Sequence, residues 1–298
     1  MEWNPGGISS DIEDRRGDSG GGGGFGFGGG GIGIGGLLLL LVISLVTGRN
    51  YIGQFFSSGA ASQPGPQQYQ TNGQVEQSPA EAKDVQLVSW ILDDVQRTWT
   101  TALPEQTGRN YRRAKLVLFR GRTNSGCGTA RSATGPFYCP EDERVYIDLA
   151  FWNDLRRLGG NSSDFAQGYV IAHELGHHVQ NILGTESKVQ QAMQNNPAQR
   201  SPLSVALELQ ADCYAGVWAN LAKDRAKLNA QDIAAALNNA AAVGDDHIQK
   251  MERGTVSPET FTHGSSAQRQ AWFRRGWETG QVSQCNTFRT SAQPQGDE

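Results

Sequence analysis

The pentapeptide His173-Glu174-Leu175-Gly176-His177 constrains the fold of this 298-residue chain more than any other feature. On an α-helix the two histidines lie one turn apart on the same face, so both imidazoles can contact a single metal ion. Asn161 to Asp164 offer capping oxygens before this stretch, and Gly184 is a stop signal after it. The sequence therefore predicts a helix from about Asp164 to Leu183 with a metal-binding face.

The residues around the histidines bear on whether this helix binds a metal. The alternative is a helix with two surface or core histidines and no ion. Two neutral imidazoles can take two positions of a tetrahedral Zn²⁺, and Glu174 is then placed to accept a proton from a water on the ion. Burial by apolar neighbours gives the rigidity that such a site requires, and it favours zinc here: Phe165, Val170, Ile171, Leu175 and Val179.

A third protein ligand is expected on a second helix, which begins near Ser201-Pro202. Glu208 and Asp212 lie one turn apart on it, between apolar neighbours that would make an unpaired carboxylate costly. One carboxylate can bind the metal while the other accepts the ring N–H of a ligating histidine. We assign Glu208 as the third metal ligand and Asp212 as the carboxylate that orients a histidine.

The N-terminal part of the chain has a different composition from the rest. We expect a disordered glycine-rich tail over residues 1–27, a transmembrane helix over residues 28–48 and a linker over residues 49–80. No charged residue occurs from Ser19 to Gly48. A cleaved signal peptide and a buried core helix are the alternatives for the apolar stretch, but the long acidic tail and the lack of amphipathic flanks favour a single-pass anchor.

Charge and cysteine content bear on localisation and partners. Arg15 and Arg16 precede the apolar stretch and Arg49 follows it, which predicts a cytoplasmic N-terminus and an extracytoplasmic domain at a bacterial cell membrane. Cys127 and Cys139 flank a small-residue loop that suits a disulfide in an oxidising compartment, leaving Cys213 and Cys285 as a second pair. Four reduced thiols are the alternative. A net charge of −4 gives no basic surface for nucleic acid.

The remaining patterns predict a mainly helical α+β domain over residues 81–298. Alternating or continuous apolar residues predict strands at 114–119 and 144–149, either of which could be an edge strand that pairs with an extended peptide or an ordinary core strand. Apolar residues at helical spacing predict helices at 80–101, 151–158 and 231–251. His178 is expected to serve packing or to support the metal ligands, and His247 is expected to be structural.

These residues resemble a family. The H-E-x-x-H of residues 173–177 with Glu208-Leu209-Gln210-Ala211-Asp212 is similar to the layout of glutamate-type zincins, which include the membrane-associated HtpX peptidases. The runs at 127–140, 173–180 and 261–266 resemble the YpfJ-type neutral zinc metallopeptidases more closely. The resemblance implies a zincin-like fold and proteolytic activity, and it implies that His263 stabilises the oxyanion of the tetrahedral intermediate. The alternative for His263 is that it caps its own helix.

The sequence thus predicts a membrane-anchored zinc peptidase that acts on proteins or peptides. Zinc held by His173, His177 and Glu208 would activate a water, and Glu174 would be the general base. Two other classes stay open. One is an inactive or gated metal-binding adaptor that presents a peptide groove, against which an intact Glu174 argues. The other is a structural-zinc domain, which is disfavoured because such sites are closed and rich in cysteine.

Overall fold

The computed structural model describes residues 1–18, 75 and 77–288. The predicted transmembrane segment at 28–48 and most of the predicted linker lie outside these residues. Within the described part of the chain, no helix is both long and apolar enough to cross a membrane.

A small mixed sheet stands at one side of the domain. Its strand order is β1-β2-β6-β5, with β1, β2 and β6 parallel and β5 antiparallel to β6. The predicted strands at 114–119 and 144–149 are confirmed as β2 and β6, and they are the two inner strands rather than edges. The strands are β1 (Ile12–Asp14), β2 (Lys115–Phe119), β5 (Phe137–Cys139) and β6 (Arg144–Asp148), with a separate hairpin of β3 (Arg122–Ser125) and β4 (Gly128–Arg131).

Helices make up most of the domain, as predicted. The helix expected at 231–251 is divided in two at Gly244, where an added Cβ would lie 2.5 Å from the backbone nitrogen of Ser266. The described part of the chain contains α1 (Pro79–Thr107), α2 (Phe151–Arg157), α3 (Asp164–Leu183), α4 (Thr185–Asn195), α5 (Arg200–Ala222), α6 (Ala230–Ala242), α7 (Asp245–Arg253) and α8 (Ser266–Thr279).

The N-terminal segment is part of the domain, so the predicted disorder is wrong for residues 1–18. Strand β1 pairs with β2 in the register Ile12 to Leu116. The N-terminal amine of Met1 forms an ion pair of 2.6 Å with Asp232. The local sequence suggested disorder because it is polar and charged, but its charges are neutralised by residues far away in the chain, such as Glu81, which lies 3.0 Å from the Arg16 guanidinium.

The position of β1 also bears on the predicted membrane topology. A single crossing by residues 28–48 would put residues 1–18 and the domain on opposite sides of a bilayer. Because β1 and β2 are hydrogen-bonded strands of one sheet, they must lie on the same side. This strand pairing conflicts with a single crossing between a cytoplasmic N-terminus and the domain, and the membrane topology stays a prediction. The compartment that holds the domain stays a prediction.

The core is built around α3, which packs against α1, α5 and α6. Phe165 of α3 stacks on Trp218 of α5 with ring centroids 5.5 Å apart. Helix α8 approaches α5 so closely that a Cβ added at Gly276 would lie 2.0 Å from the carbonyl oxygen of Cys213. The absence of a side chain at this position therefore sets the distance between α8 and α5.

Two disulfides are present, and both match the predicted pairs. Cys127–Cys139 connects the loop of the β3–β4 hairpin to strand β5. Cys213–Cys285 connects the middle of α5 to the segment that follows α8. The alternative of four reduced thiols does not apply to this fold.

Candidate metal centre

Helix α3 brings His173 and His177 onto one face. The helix begins and ends where the capping signals predicted, and Gly184 adopts the left-handed conformation at its C-terminus. The two imidazoles lie perpendicular, with ring centroids 4.9 Å apart. His173 is buried and His177 is partly exposed, so the pair stands at the boundary between core and solvent.

Helix α5 adds Glu208 to the two histidines. Its carboxylate oxygens lie 3.2 Å from His173 Nε2 and 3.6 Å from His177 Nε2. Potential ligand atoms of the three residues all lie within 4.8 Å of one another. The close approach of the two helices depends on Gly176, because a Cβ there would lie 3.0 Å from the carbonyl oxygen of Ala211.

These distances can be compared with what a zinc ion requires. Two ligands on a tetrahedral zinc, at bond lengths near 2.0–2.1 Å, are separated by about 3.3 Å. The two separations between an Nε2 atom and a Glu208 oxygen, 3.2 and 3.6 Å, lie on either side of that value. Two imidazoles and one carboxylate are also a donor set that suits zinc and leaves a fourth position open. The residues therefore fit the ion.

Asp212 contacts the side of His173 that faces away from Glu208. Its carboxylate oxygen lies 2.9 Å from His173 Nδ1, so Nδ1 carries a proton, and Nε2 is the nitrogen that would offer its lone pair to a bound zinc ion. The Tyr169 hydroxyl donates to the same oxygen at 2.6 Å. The Arg269 guanidinium donates to both oxygens at 2.8 and 2.9 Å. This is the orienting contact that the sequence predicted for Asp212.

Arg269 and Tyr169 were not singled out by the sequence analysis. Tyr169 precedes His173 by one helical turn, so its place on the same face could have been predicted. Arg269 comes from α8, and its contact with Asp212 depends on the close packing of α8 against α5, which no local pattern reveals. Asp212 is fully buried, so the positive charge of Arg269 is needed to stabilise its carboxylate.

The two glutamates of the site have opposite pKa shifts. Burial raises the pKa of Glu174, against the opposing effect of the histidine charges. Burial would also raise the pKa of Glu208, but the charge of His177 and the hydrogen bond from His173 outweigh it, so the pKa of Glu208 lies well below its ordinary value. Glu208 is thus an anion suited to bind a cation, whereas Glu174 is a stronger base than an exposed glutamate.

His263 lies in a loop that wraps around Asp245. One Asp245 oxygen accepts the backbone N–H groups of Thr262 and His263 at 2.7 and 2.6 Å, and the other lies 3.1 Å from His263 Nδ1. Burial would lower the pKa of His263, but the hydrogen bond to Asp245 and the charge of Glu208 raise it. Because the charge of Glu208 contributes to this shift, His263 lies in the neighbourhood of the metal centre.

The alternative for His263, that it caps its own helix, is wrong. The Ser265 hydroxyl caps α8 by accepting the backbone N–H of Gln268 at 3.2 Å. The loop is held against α5 instead, where the Ser204 hydroxyl donates to the carbonyl of Thr262 at 2.9 Å.

The other two histidines have structural contacts, as predicted. His178 is fully buried, with Nδ1 2.9 Å from the Tyr138 hydroxyl and Nε2 2.7 Å from the carbonyl oxygen of Arg112. These contacts tie α3 to β5 and to the segment before β2. His247 Nε2 lies 2.9 Å from the carbonyl oxygen of Leu158.

The comparison with known families agrees with this geometry. A family model described as "Putative neutral zinc metallopeptidase" matches residues 1–288. The chain belongs to this family. The match includes the N-terminal segment as well as both helices of the metal centre.

Two bacterial proteins are similar to most of this chain. The uncharacterized protein YpfJ of Escherichia coli K12 is 47% identical over 289 residues, which cover 97% of this chain and 99% of YpfJ. The uncharacterized protein Rv2575 of Mycobacterium tuberculosis H37Rv is 44% identical over 207 residues, or 66% of this chain and 68% of Rv2575. No solved structure matches the chain.

Proposed function

We propose that this protein is a zinc-dependent metallopeptidase that hydrolyses peptide bonds with Glu174 as general base. The observation that carries the proposal is the convergence of His173, His177 and Glu208 at zinc-ligand separations. A buried carboxyl group, Glu174, stands directly beside the first ligand. Membership of the zinc metallopeptidase family supports the same reaction class.

Each residue has a defined task in this proposal. His173 and His177 would hold the ion through Nε2, and Glu208 would hold it through its carboxylate. When bound, zinc lowers the pKa of a water to about 7 and polarises the scissile carbonyl. Glu174 accepts the proton of that water and returns it to the leaving amine. Its raised pKa suits both steps, since a general base works best when its pKa is near the working pH.

His263 is proposed to stabilise the transition state. Asp245 orients its ring through Nδ1, which leaves Nε2 to donate to an oxyanion. The raised pKa favours the protonated imidazole, which is the better donor. The buried Asp245 keeps the loop in place through its three backbone contacts, the third being the N–H of Gly264 at 3.0 Å.

One edge of the sheet lies next to α3, the helix that carries His173 and His177. Strand β5 is the edge strand next to α3, and Tyr138 on it is linked to α3 through a hydrogen bond from Asn181 at 2.9 Å. We propose that substrate backbone pairs with the free side of β5. This moves the substrate edge from the two strands that the sequence suggested to β5.

The domain is proposed to be extracytoplasmic and attached to the cell membrane through residues 28–48. The two disulfides support an oxidising compartment. The pairing of β1 with β2 requires that residues 1–18 share that compartment.

The test is cleavage of an unfolded protein, casein, by the full chain loaded with zinc. We expect wild type to cut, and Glu174→Gln to bind zinc equally and not to cut. Glu278→Gln, at an exposed position at the end of α8, is the matched control and should cut like wild type. An active Glu174→Gln protein would remove Glu174 as the base. Zinc binding without cleavage by wild type would favour the adaptor.

A further inference from the structure

The second ring nitrogen of His177 has a partner that the catalytic scheme does not use. His177 Nδ1 lies 2.8 Å from Gln180 Oε1, less than one turn along α3. Gln180 is fully buried although it is polar. The Nδ1 atom of His173 contacts an anion, Asp212, whereas the Nδ1 atom of His177 contacts the neutral amide of Gln180.

The orientation of this amide is fixed by a backbone carbonyl. Gln180 Nε2 lies 2.7 Å from the carbonyl oxygen of Leu207. A carbonyl oxygen only accepts hydrogen bonds, so the NH₂ of Gln180 must face it and Oε1 must face His177. Oε1 in turn only accepts, so His177 Nδ1 carries a proton, and in the neutral imidazole that binds a metal the lone pair is on Nε2.

A second side-chain amide, that of Gln210, extends this series of hydrogen bonds to a disulfide. Gln180 Nε2 also donates to Gln210 Oε1 at 3.2 Å, and Gln210 Nε2 donates to the carbonyl oxygen of Cys285 at 2.8 Å. The Cys285 carbonyl oxygen only accepts hydrogen bonds, so it fixes the orientation of the Gln210 amide. Cys285 is bonded to Cys213, the residue that follows Asp212 on α5. All of these groups are buried.

We propose that Gln180 and Gln210 are positioning residues that fix the tautomer of His177 for metal binding. Together with the Cys285 carbonyl they form a series of hydrogen bonds that we call the amide relay, and the Cys213–Cys285 disulfide holds its far end. The inference rests on the proposed metal site. The neutral relay has an electrostatic reason, since the site already contains the carboxylates of Glu208, Asp212 and Glu174, and a further anion behind His177 would add to their repulsion.

The disulfide matters because Cys285 lies in the segment after α8. That segment contacts α5 at the disulfide and again at Thr287, whose hydroxyl donates to the carbonyl oxygen of Ala206 at 2.5 Å. Without the disulfide, the Cys285 carbonyl would no longer be covalently held beside Gln210. Gln210 could then turn, and Gln180 Nε2 would lose one of its two acceptors, the Oε1 atom of Gln210.

The first test compares two substitutions of Gln180 in the full chain, by competition for Zn²⁺ with a chromophoric chelator. Gln180→Leu removes the acceptor for His177 and should weaken zinc binding by about 10- to 100-fold. Gln180→Glu restores an acceptor and should recover most of this loss. A role in packing alone would give the opposite order, because leucine is easier to bury than a carboxylate. Wild-type affinity in Gln180→Leu, or that opposite order, would overturn the proposal.

The second test uses the two disulfides as a matched pair. Cys213→Ala with Cys285→Ala should weaken zinc binding about 10-fold, at the lower end of the effect of losing a contact behind a metal ligand. Cys127→Ala with Cys139→Ala, which removes the disulfide outside this relay, should leave the affinity unchanged. Circular dichroism at the assay temperature verifies folding. Gln210→Leu keeps the disulfide and tests the same link if the double variant unfolds. Equal affinities in the two disulfide variants, or wild-type affinity in Gln210→Leu, would overturn the link.

The cobalt-substituted protein gives a readout that does not depend on activity. The visible absorption of Co²⁺ should change in Gln180→Leu and return towards wild type in Gln180→Glu. If wild type binds no zinc, the proposed function fails and the relay fails with it. If wild type binds zinc and cuts casein while Gln180→Leu binds equally well, the relay alone fails.

Discussion

Replacement of Asp212 by asparagine should weaken both the fold and the metal site. The Asp212 carboxylate accepts hydrogen bonds from His173 Nδ1, the Tyr169 hydroxyl and two nitrogens of Arg269, at 2.6 to 2.9 Å. Asp212 is fully buried and Arg269 is nearly so. In Asp212→Asn the shape is kept, but the guanidinium loses its counter-charge and the amide offers only one accepting atom.

The magnitude follows from these contacts. Leaving one member of a buried ion pair uncompensated costs about 3–5 kcal/mol of unfolding free energy. Loss of the acceptor behind a metal-bound histidine weakens metal binding by about 10- to 100-fold. Urea unfolding of the zinc-free protein measures the first effect, and chelator competition measures the second.

A double variant separates the two effects. Asp212→Leu with Arg269→Met removes both charges, and replacing a buried ion pair by apolar residues is often neutral for stability. We expect the unfolding free energy to return to near the wild-type value while zinc affinity stays low, because His173 Nδ1 still has no acceptor. Wild-type zinc affinity in Asp212→Asn, or recovery of affinity in the double variant, would refute the role given to Asp212.

Other predictions concern helix packing, His263 and the N-terminal segment. Gly276→Ala should lower the unfolding free energy in urea by at least about 1–3 kcal/mol, because its Cβ would overlap the backbone of α5, whereas Gly6→Ala, with open space around it, should have little effect. His263→Gln should keep zinc and lower kcat for casein by about 10²- to 10³-fold, and an unchanged kcat would exclude it as oxyanion donor. Deletion of residues 2–18 should lower the melting temperature at pH 7. Burial would raise the pKa of Asp11, but hydrogen bonds from Lys115 and Arg113 lower it below its ordinary value. The stabilisation that the Asp11 carboxylate gives to the fold is therefore present above a pH of about 4 and is lost as the pH falls through the lowered pKa. A melting temperature that does not depend on residues 2–18 would contradict the role of β1. Cysteines introduced at the exposed positions Ser10 and Ser187 should react equally with a membrane-impermeant maleimide in whole cells, and labelling of only one would contradict the shared compartment.

The sequence predicted the parts of the site that depend on local spacing. His173 and His177 are one turn apart on a helix with recognisable caps, and Glu208 and Asp212 repeat that spacing on α5 between apolar neighbours. Their meeting could be inferred because a buried carboxylate needs a partner and a zinc ion needs a third ligand. The structure brings these residues together in the expected arrangement.

The contacts that were missed join residues distant in the chain. Arg269 reaches Asp212 only because Gly216 and Gly276 let α8 approach α5, and a single glycine in a helix does not reveal its neighbour. The amide relay depends on two backbone carbonyls, of Leu207 and Cys285, whose positions are set by the fold.

The N-terminal segment gave the clearest error. Its charged residues read as a disordered tail, yet Arg16 pairs with Asp14 and Glu81, and Asp11 pairs with Arg113 and Lys115. Composition cannot distinguish charges that face water from charges neutralised by a distant part of the chain. A practical consequence is that a fragment beginning near Ser78 would lack β1 and expose the edge of β2, so functional assays require the full chain.

X-ray absorption spectroscopy of the zinc-loaded full chain tests the central claim most directly. We expect one zinc with four nitrogen or oxygen neighbours near 2.0–2.1 Å, two of them from imidazoles, and no sulfur neighbour, since all four cysteines are in disulfides. His173→Ala should remove the zinc signal from the dialysed protein. A sulfur neighbour near 2.3 Å, or a wild-type spectrum at full occupancy in His173→Ala, would contradict the assignment of the metal centre.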